Sequence, residues 1–193
     1  MSFDFLQYIF ADILQEIFLK AIEKIKSYFE YLGSIVRINY SEAIIEILNK
    51  SFITVAEEYG YTIKNAPKFT AFTNCDTIIN EIRDGLKIFV YKKRGKMVGC
   101  AGNINCLNGI YEIKNLAVLP DFRHKGIGKK LLAFNEKEIK KIGGKIVEVG
   151  FLNNNDKLKQ WFIKYGYNET GIKEIKGLPY KICIMQKIIN KNN

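Results

Sequence analysis

Apolar residues in the first part of the chain recur at the spacing of a long amphipathic helix. Between residues 3 and 32 they fall three or four positions apart, which places them along one helical face. Gly33 follows as a natural helix stop. Charged residues interrupt the segment too often for a membrane span. The apolar face therefore has three candidate partners: its own domain, a second subunit in a homodimer, or a membrane surface.

From residue 35 onward the pattern changes to short strands and helices. After a short strand at residues 35–39, the pattern predicts helices at residues 41–50, 52–59, 77–84, 126–142 and 156–164. It predicts further strands at residues 87–91, 97–105, 110–118, 145–149, 167–174 and 180–187. Asn108-Gly109 is a hairpin signal. The predicted fold class is α+β, with a mixed, mostly antiparallel central sheet flanked by helices and an extra N-terminal amphipathic helix.

Composition fits one folded domain with an appendage. The chain has 193 residues, of which 48% are apolar, and this is enough for one domain with a real core. We expect an N-terminal helix at residues 1–34 and the domain at residues 35–190. Four cysteines without a C-x-x-C pair, and a single histidine, argue against a metal site of the zinc type. Reduced thiols and the lack of a cleavable signal peptide favour a cytoplasmic location.

Positive charge is concentrated in the second part of the chain. Residues 121–193 carry 16 Lys/Arg and 7 Asp/Glu, whereas residues 1–120 carry 14 and 13. This basic segment suits an anionic ligand such as a phosphorylated cofactor, or a nucleic acid. A chain rich in lysine throughout also acquires such charge without a binding role, and both interpretations stay open.

The segment with the clearest chemistry joins strand 110–118 to the next helix and reads LAVLPDFRHKGIGKKL over residues 116–131. An apolar strand ends at Pro120, a basic R-x-x-G-x-G turn follows, and a helix begins inside that turn. Glycines let the backbone approach a ligand closely, and the first N–H groups of a helix carry partial positive charge. Together they predict a pyrophosphate cradle. The glycine spacing fits neither a Rossmann fingerprint nor a Walker A loop.

With its flanks, the pattern L-A-V-x-P-x-x-R-x-x-G-x-G-x-x-L resembles the acetyl-CoA-binding signature of the GNAT superfamily of N-acetyltransferases. Residues 155–167, N-x-x-L-x-x-x-F-x-x-x-G-Y, resemble the second signature of that family, N-x-x-A-x-x-x-Y-x-x-x-G-F. The resemblance covers about residues 35–188. It implies transfer of an acetyl group from acetyl-CoA to a primary amine, by direct attack in a ternary complex and without a metal. The implied partner is a small-molecule or peptide amine rather than a specific nucleic acid.

The resemblance also assigns residues to the cofactor. Main-chain groups at the end of strand 110–118 would hold the acetyl group and pantetheine, and a bulge would part this strand from strand 145–149. Backbone N–H groups of residues 123–129 would bind the pyrophosphate, and the start of helix 156–164 would flank the pantetheine. The cofactor-binding residues implied in this way are Leu116, Ala117, Val118, Arg123, His124, Lys125, Gly126, Ile127, Gly128, Lys129, Asn155 and Leu158.

Catalysis needs a group that takes a proton from the amine, because an alkylamine is mostly protonated near neutral pH. Glu112, six residues before Val118, resembles the position of the general base in several family members. Strand alternation predicts that Glu112, Lys114 and Leu116 share one face. Two alternatives stay open: a surface carboxylate paired with a lysine, and a water relay through other groups.

One departure from the family pattern concerns the catalytic acid. Phe162 stands where the family often has a tyrosine that protonates the departing thiolate, and a phenyl ring cannot donate a proton. Three interpretations follow. In the first, Tyr165, one turn away, serves as the acid. In the second, no acid is needed, since a thiol with a pKa of about 8.5 is already a fair leaving group. In the third, the protein only binds acyl-CoA. Ordinary packing or solvation is expected for His124, Trp161, Tyr180, Cys183 and Met185.

Overall fold

The computed structural model describes residues 41–189, together with Lys20 and Lys24, both of which are helical. The rest of the predicted helix 3–32, and the predicted strand 35–39, lie outside the described residues. The helices are α1 (residues 41–59), α2 (Cys75–Arg83), α3 (Ile127–Lys141) and α4 (Asp156–Lys164). The strands are β1 (Lys87–Lys93), β2 (Lys96–Asn105), β3 (Ile110–Val118), β4 (Ile146–Leu152), β5 (Asn168–Glu174) and β6 (Lys181–Ile188).

Several element boundaries differ from the sequence prediction, and three of these differences have a visible cause. The two helices expected at residues 41–50 and 52–59 form the single helix α1, in which Ser51 is buried on the same face as Leu48. α2 begins two residues earlier than predicted, because the Asn74 side chain caps it by accepting the Thr77 N–H at 2.9 Å. β4 extends to Leu152 because its last three residues pair with β6.

The strands form one six-stranded sheet in the order β1-β2-β3-β4-β6-β5. Four of the neighbouring pairs are antiparallel, and only β3 and β4 are parallel. A parallel pair needs a crossover connection, and α3 supplies it. The predicted α+β class, with a mixed and mostly antiparallel sheet, is therefore confirmed.

α3 and α4 cover one face of this sheet. A Cβ added at Gly99 on β2 would come within 3.2 Å of Leu131 of α3. Phe151 on β4 stacks on Phe162 of α4, with ring centroids 5.3 Å apart. These contacts bury the apolar stripe of each helix against the sheet, which is the main favourable contribution to the packing of such layers.

A buried amide pair fixes the position of α3 on β2. Asn103 Nδ2 donates to Asn135 Oδ1 at 2.8 Å, and Asn135 Nδ2 donates to the Leu131 carbonyl at 2.9 Å. Both asparagines are at most 2% exposed. A buried amide without a partner costs about 1–3 kcal/mol, so the pair favours one register of the helix over its neighbours.

α1 and α2 cover the opposite face. Lys114 on β3 forms an ion pair with Glu81 of α2. Leu152 at the end of β4 packs in one cluster with Ala56 of α1 and the Phe69 ring. α1 and α2 therefore lie on the side of the sheet away from α3.

Two of the four cysteines are strand residues in the core, and the other two are not. Cys100 and Cys183 are buried, and burial raises the pKa of the Cys100 thiol to about 12. Cys75 is half-buried at the start of α2, whereas Cys106 is exposed. All four thiols are free. Within the part of the chain that the structure describes, no helix is both long and apolar enough to cross a membrane.

The close approach of β2 to β3 gives the first testable prediction. A Cβ added at Gly99 would lie 2.8 Å from the Ala117 carbonyl oxygen, which is backbone and cannot move aside. We expect Gly99→Ala to lower the free energy of unfolding by about 1–3 kcal/mol, measured by urea denaturation. Gly171→Ala is the matched control, because a Cβ there meets nothing within 4 Å. Equal stabilities of the two variants would contradict the prediction.

Candidate active site

A bulge near the end of β3 shapes the site. Cys100 pairs with Ala117 and Gly102 pairs with Lys114, so that two β3 residues lie opposite the single residue Ala101. The first of them, Asn115, has φ 58°, in the left-handed region that asparagine adopts more readily than most residues. The bulge implied by the family resemblance is thus present.

The bulge changes which side chains share a face. Cys100 and Gly102 are two residues apart and share a face, so their partners Ala117 and Lys114 share it too, although these are three residues apart. Leu116, the neighbour of Ala117, therefore lies on the face opposite Lys114. The predicted common face holds for Glu112 and Lys114 and is wrong for Leu116, because simple alternation does not count the extra residue.

The pairing of β3 with β4 ends at Ile113, two residues before the bulge. The two strands pair only over residues 110–113 of β3 and 146–149 of β4. On its other side, β4 pairs with β6 over its whole length. Gly150, the first β4 residue beyond the pairing with β3, is exposed, whereas its neighbours Val149 and Phe151 are buried. The facing edges of the two parallel strands are therefore unpaired beyond Ile113 and Val149, and we call the gap between these edges the opening.

The basic turn lies at the start of α3 and presents free N–H groups. His124 and Gly126 have φ 59° and 76°, so the backbone folds into a concave loop before α3 begins at Ile127. Within residues 41–189, the N–H groups of residues 124–129 have no hydrogen-bond acceptor. Such a loop at a helix N-terminus suits an anion. The exposed side chains of Lys125 and Lys129 add positive charge beside it.

Arg123 has a different role from the one predicted. Its N–H donates to the Pro120 carbonyl at 3.1 Å and is therefore engaged within the turn. Its guanidinium donates to the Val118 carbonyl at 3.2 Å, to Thr54 Oγ1 at 3.0 Å and to the Ser51 carbonyl at 2.6 Å. Arg123 thus ties the end of β3 to α1, and the structure does not bring its N–H into the cradle.

Gly128 brings the cradle, β3 and α4 together. A Cβ added there would lie 3.8 Å from Trp161 of α4 and 3.9 Å from Val118 at the end of β3. Asn155 caps α4, since its Oδ1 accepts the Leu158 N–H at 3.0 Å. The first turn of α3 therefore lies beside the Trp161 side chain of α4 and the end of β3.

Glu112 lies where the two strands begin to part. It pairs with Glu148 on β4, one residue before the last β3–β4 pair, and its Oε1 is 3.9 Å from the position of a Cβ added at Gly150. Burial raises the pKa of the Glu112 carboxyl. Among the described side chains, none donates a hydrogen bond to it, and the ammonium of Lys114 binds Glu81 instead. The alternative of a carboxylate paired with a lysine is therefore not what the structure shows.

The position of the family tyrosine lies in the core. Phe162 is 4% exposed and packs against the rings of Phe151, Trp161 and Tyr167. Tyr165 is half-buried, and its ring contacts Trp161 and lies 5.8 Å from Lys129 Nζ. Tyr165 is thus the phenol on the side of α4 that faces the start of α3.

The remaining sequence-predicted side chains have packing or solvated positions. Cys183 and Met185 are fully buried, as expected, and His124 is exposed. Tyr180 joins an aromatic cluster with Tyr61 and Phe69 between α1 and the start of β6. Among the residues that the structure describes, no group of three His, Cys, Asp or Glu side chains is arranged to hold a metal ion.

Three residues of the site have no signal in the sequence pattern. Glu81 reaches β3 from a helix more than 30 positions earlier in the chain. Asn115 creates the bulge, and Gly150 leaves space beside the Glu112 carboxylate. A glycine inside a strand can indicate a bulge or a close approach, but Gly150 marks neither partner nor function by itself.

Comparison with known proteins agrees with this geometry. A sequence profile of the acetyltransferase (GNAT) domain matches residues 84–169. An uncharacterised N-acetyltransferase of Chlorobaculum tepidum is 35% identical over 107 residues, which make up 55% of this chain and 62% of the relative. The chain thus spans less than two thirds of the length of that relative.

Solved structures share the fold. The PaiA N-acetyltransferase from Thermoplasma acidophilum, in complex with coenzyme A, has a TM-score of 0.65 at 20% identity, over 78% of this chain and 94% of that one. A GNAT family acetyltransferase from Elizabethkingia anophelis with acetyl-CoA bound has a TM-score of 0.53 at 20% identity, over 67% and 89%. The profile, the relative and the shared fold agree with the two signatures, and the chain is similar to acetyltransferases of the GNAT superfamily.

Proposed function

We propose that this protein transfers an acetyl group from acetyl-CoA to a primary amine. The observation that carries the proposal is the opening between β3 and β4, which has an anion cradle at its mouth and the Glu112 carboxylate at its inner end. A donor with a diphosphate and a long flexible arm fits such a shape. The relatives described above with coenzyme A or acetyl-CoA bound support this choice of donor.

Residues of this chain would bind the negative charge of the acetyl-CoA diphosphate and the amide groups of its pantetheine arm. N–H groups of residues 124–129 and the positive end of α3 would bind the diphosphate, with Lys125 and Lys129 adding charge. The unpaired edge of β3 at residues 116–118 would offer main-chain groups to the pantetheine, and Asn155 and Leu158 would flank it from α4. Bound acetyl-CoA would supply an activated acetyl thioester.

Glu112 would take the proton that the amine must lose. The nitrogen forms a bond to the acetyl carbon, the carbon–sulfur bond breaks, and the amine proton moves to Glu112 directly or through one water. The main-chain N–H groups near residues 117–118 would stabilise charge on the carbonyl oxygen. A carboxyl with a raised pKa is a better base for this step than an ordinary surface carboxylate.

We propose that the thiolate leaves without a protein acid. Phe162 cannot donate a proton, and a free thiol has a pKa of about 8.5, so that the thiolate is a fair leaving group near neutral pH. Tyr165 is the alternative acid, because its half-buried ring lies on the side of α4 facing the start of α3.

The acceptor would approach from the face of α1 and α2, since Glu112 and Lys114 are directed to that face. We propose a small-molecule or peptide amine as its class. We place the protein in the cytoplasm, where its four free thiols would stay reduced. The division into a helix at residues 1–34 and a domain at 35–190, and homodimer formation through that helix, remain predictions.

A second candidate function is a non-catalytic acyl-CoA-binding module. The observation that favours it is Phe162, which removes the hydroxyl that family members often carry at this position. Release of free thiol from acetyl-CoA, assayed over a panel of primary amines, separates the two functions. Turnover with any amine excludes the binding module, whereas binding without turnover over the whole panel contradicts the proposed enzyme.

Substitution of the base gives the second testable prediction. We expect Glu112→Gln to lower kcat by about 10²–10⁴-fold, the usual contribution of general base catalysis, while the Kd for CoA stays unchanged. Glu148→Gln, on the same face and one strand away, is the matched control and should lose far less activity. Similar losses in the two variants would contradict the assignment of Glu112.

The same variant should be at least as stable as the wild type. Burial disfavours the charged form of Glu112 and raises its pKa, so this carboxyl costs stability as the pH rises through its folded pKa. At pH 7 a neutral glutamine avoids that cost, and the Tm of Glu112→Gln should equal or exceed that of the wild type. A Tm well below that of the wild type would contradict the idea that burial of the charged Glu112 costs stability.

The raised pKa of Glu112 also has a kinetic consequence. The acidic limb of kcat/KM should lie above pH 4.5, the ordinary pKa of a glutamate.

Cofactor binding gives the third prediction. Space beside Gly128 accommodates one Cβ in ordinary contact, whereas a longer side chain would extend between Trp161 and Val118. We expect Gly128→Leu to weaken CoA binding at least about tenfold in isothermal titration calorimetry, a loss of about 1.4 kcal/mol. Gly128→Ala is the control and should change the affinity little. Unchanged affinity in Gly128→Leu, with a wild-type Tm, would place the donor elsewhere.

A further inference from the structure

We propose that Glu81 of α2 is a positioning residue for Glu112, because it holds the Lys114 ammonium away from the Glu112 carboxylate. The inference rests on the proposed function, in which Glu112 is the base. Without Glu81, the Lys114 ammonium would bind the oxygen atoms of Glu112 that must receive the proton. α2 would thus influence the charge around Glu112 without forming a hydrogen bond to it.

The first step of the argument is distance along β3. Glu112 and Lys114 share a face and are two residues apart, which is about 6.7 Å along a strand. A lysine side chain can span such a distance, and an ammonium within reach would lower the pKa of the carboxyl by about 1–3 units. In the structure Lys114 instead binds Glu81 Oε1, and both side chains are about one quarter to one third exposed.

The second step concerns the other oxygen of Glu81. Asn115 Nδ2 donates to Glu81 Oε2 at 3.2 Å. In a regular strand, neighbouring residues 114 and 115 would be directed to opposite faces. Because Asn115 is the left-handed residue of the bulge, both side chains reach the same carboxylate. Glu81 is therefore held in one orientation by two partners and is not free to follow Lys114 toward Glu112.

The third step is the charge around Glu112. Burial has the largest effect on its pKa and raises it. Of the charged groups that face it, Lys114 on its own strand and Lys173 on β5 lower the pKa, whereas Glu148 on β4 and Glu81 on α2 raise it. The thiol of Cys106, in the turn between β2 and β3, is the remaining titratable neighbour. Lys114 has the strongest effect among these charges, so its location has the most influence on the base.

The test is Glu81→Gln, which keeps the shape of the side chain and an oxygen for Asn115 but removes the charge that binds Lys114. We expect the pKa of Glu112 to fall by about one unit or more as the ammonium turns toward it. Titration of the glutamate carboxyl carbons by NMR measures this pKa, with the Glu112 signal assigned by its absence in Glu112→Gln. The acidic limb of kcat/KM should move to lower pH by the same amount.

The double variant Glu81→Gln with Lys114→Gln is the matched control. With no cation left to move, the pKa of Glu112 should return to the wild-type value or rise above it. An unchanged pKa in Glu81→Gln overturns the inference, and so does an equal fall in the single and double variants. Glu81→Asp keeps the charge but shortens the side chain, and it should give a smaller fall; it serves as the test if Glu81→Gln does not fold.

The NMR titration does not require turnover, which separates this inference from the proposed function. If the wild type acetylates no amine but the pKa of Glu112 falls in Glu81→Gln, the proposed function fails and the effect of Glu81 on the carboxyl stands. If Glu112→Gln abolishes turnover while the pKa of Glu112 is unmoved in Glu81→Gln, the function stands and the role of Glu81 is refuted.

Discussion

The extra residue at Asn115 is the constraint on which the rest of the site depends. It adds one residue of β3 opposite Ala101, and the pairing of β3 with β4 stops two residues before it, after Ile113. If β3 and β4 remained paired to their ends, the free N–H groups at the start of α3 would lie above a closed sheet. The bulge therefore converts an ordinary strand–turn–helix corner into the mouth of an opening.

An opening in a sheet has a cost, since main-chain groups along its edges lose their partner strand. Two long side chains hold the structure around it. Arg123 bonds the Val118 carbonyl and two groups of α1, and Glu81 of α2 bonds Lys114 and Asn115. α1 and α2 thus fix the end of β3 and its bulge from one face. Both contacts involve charged groups, which make stronger hydrogen bonds than neutral ones.

Much of this fold could be predicted from the sequence, because periodicity and turn residues are local signals. The order of the elements, the mixed sheet and the anion-binding turn all follow from such signals, and the structure confirms the first two. The exceptions depend on contacts between distant positions. The partners of Arg123 on α1 lie about 70 positions away, and the face of Leu116 depends on one left-handed residue that no periodic pattern shows. The sequence predicts two helices where the structure has the single helix α1, because Ser51 is polar but is buried in the middle of that helix.

The strand order has a mechanical consequence. β1, β2 and β3 form one antiparallel half of the sheet, and β4, β6 and β5 form the other. Only four residue pairs join the halves, all of them at the end of β3 away from the cradle. Outside the ladder, α3 also joins the halves, because Glu136 accepts hydrogen bonds from Tyr167 and from Lys187 of β6. The end of β3 beside the cradle is therefore held in place by β2, α1 and α2 and makes no strand pair with β4.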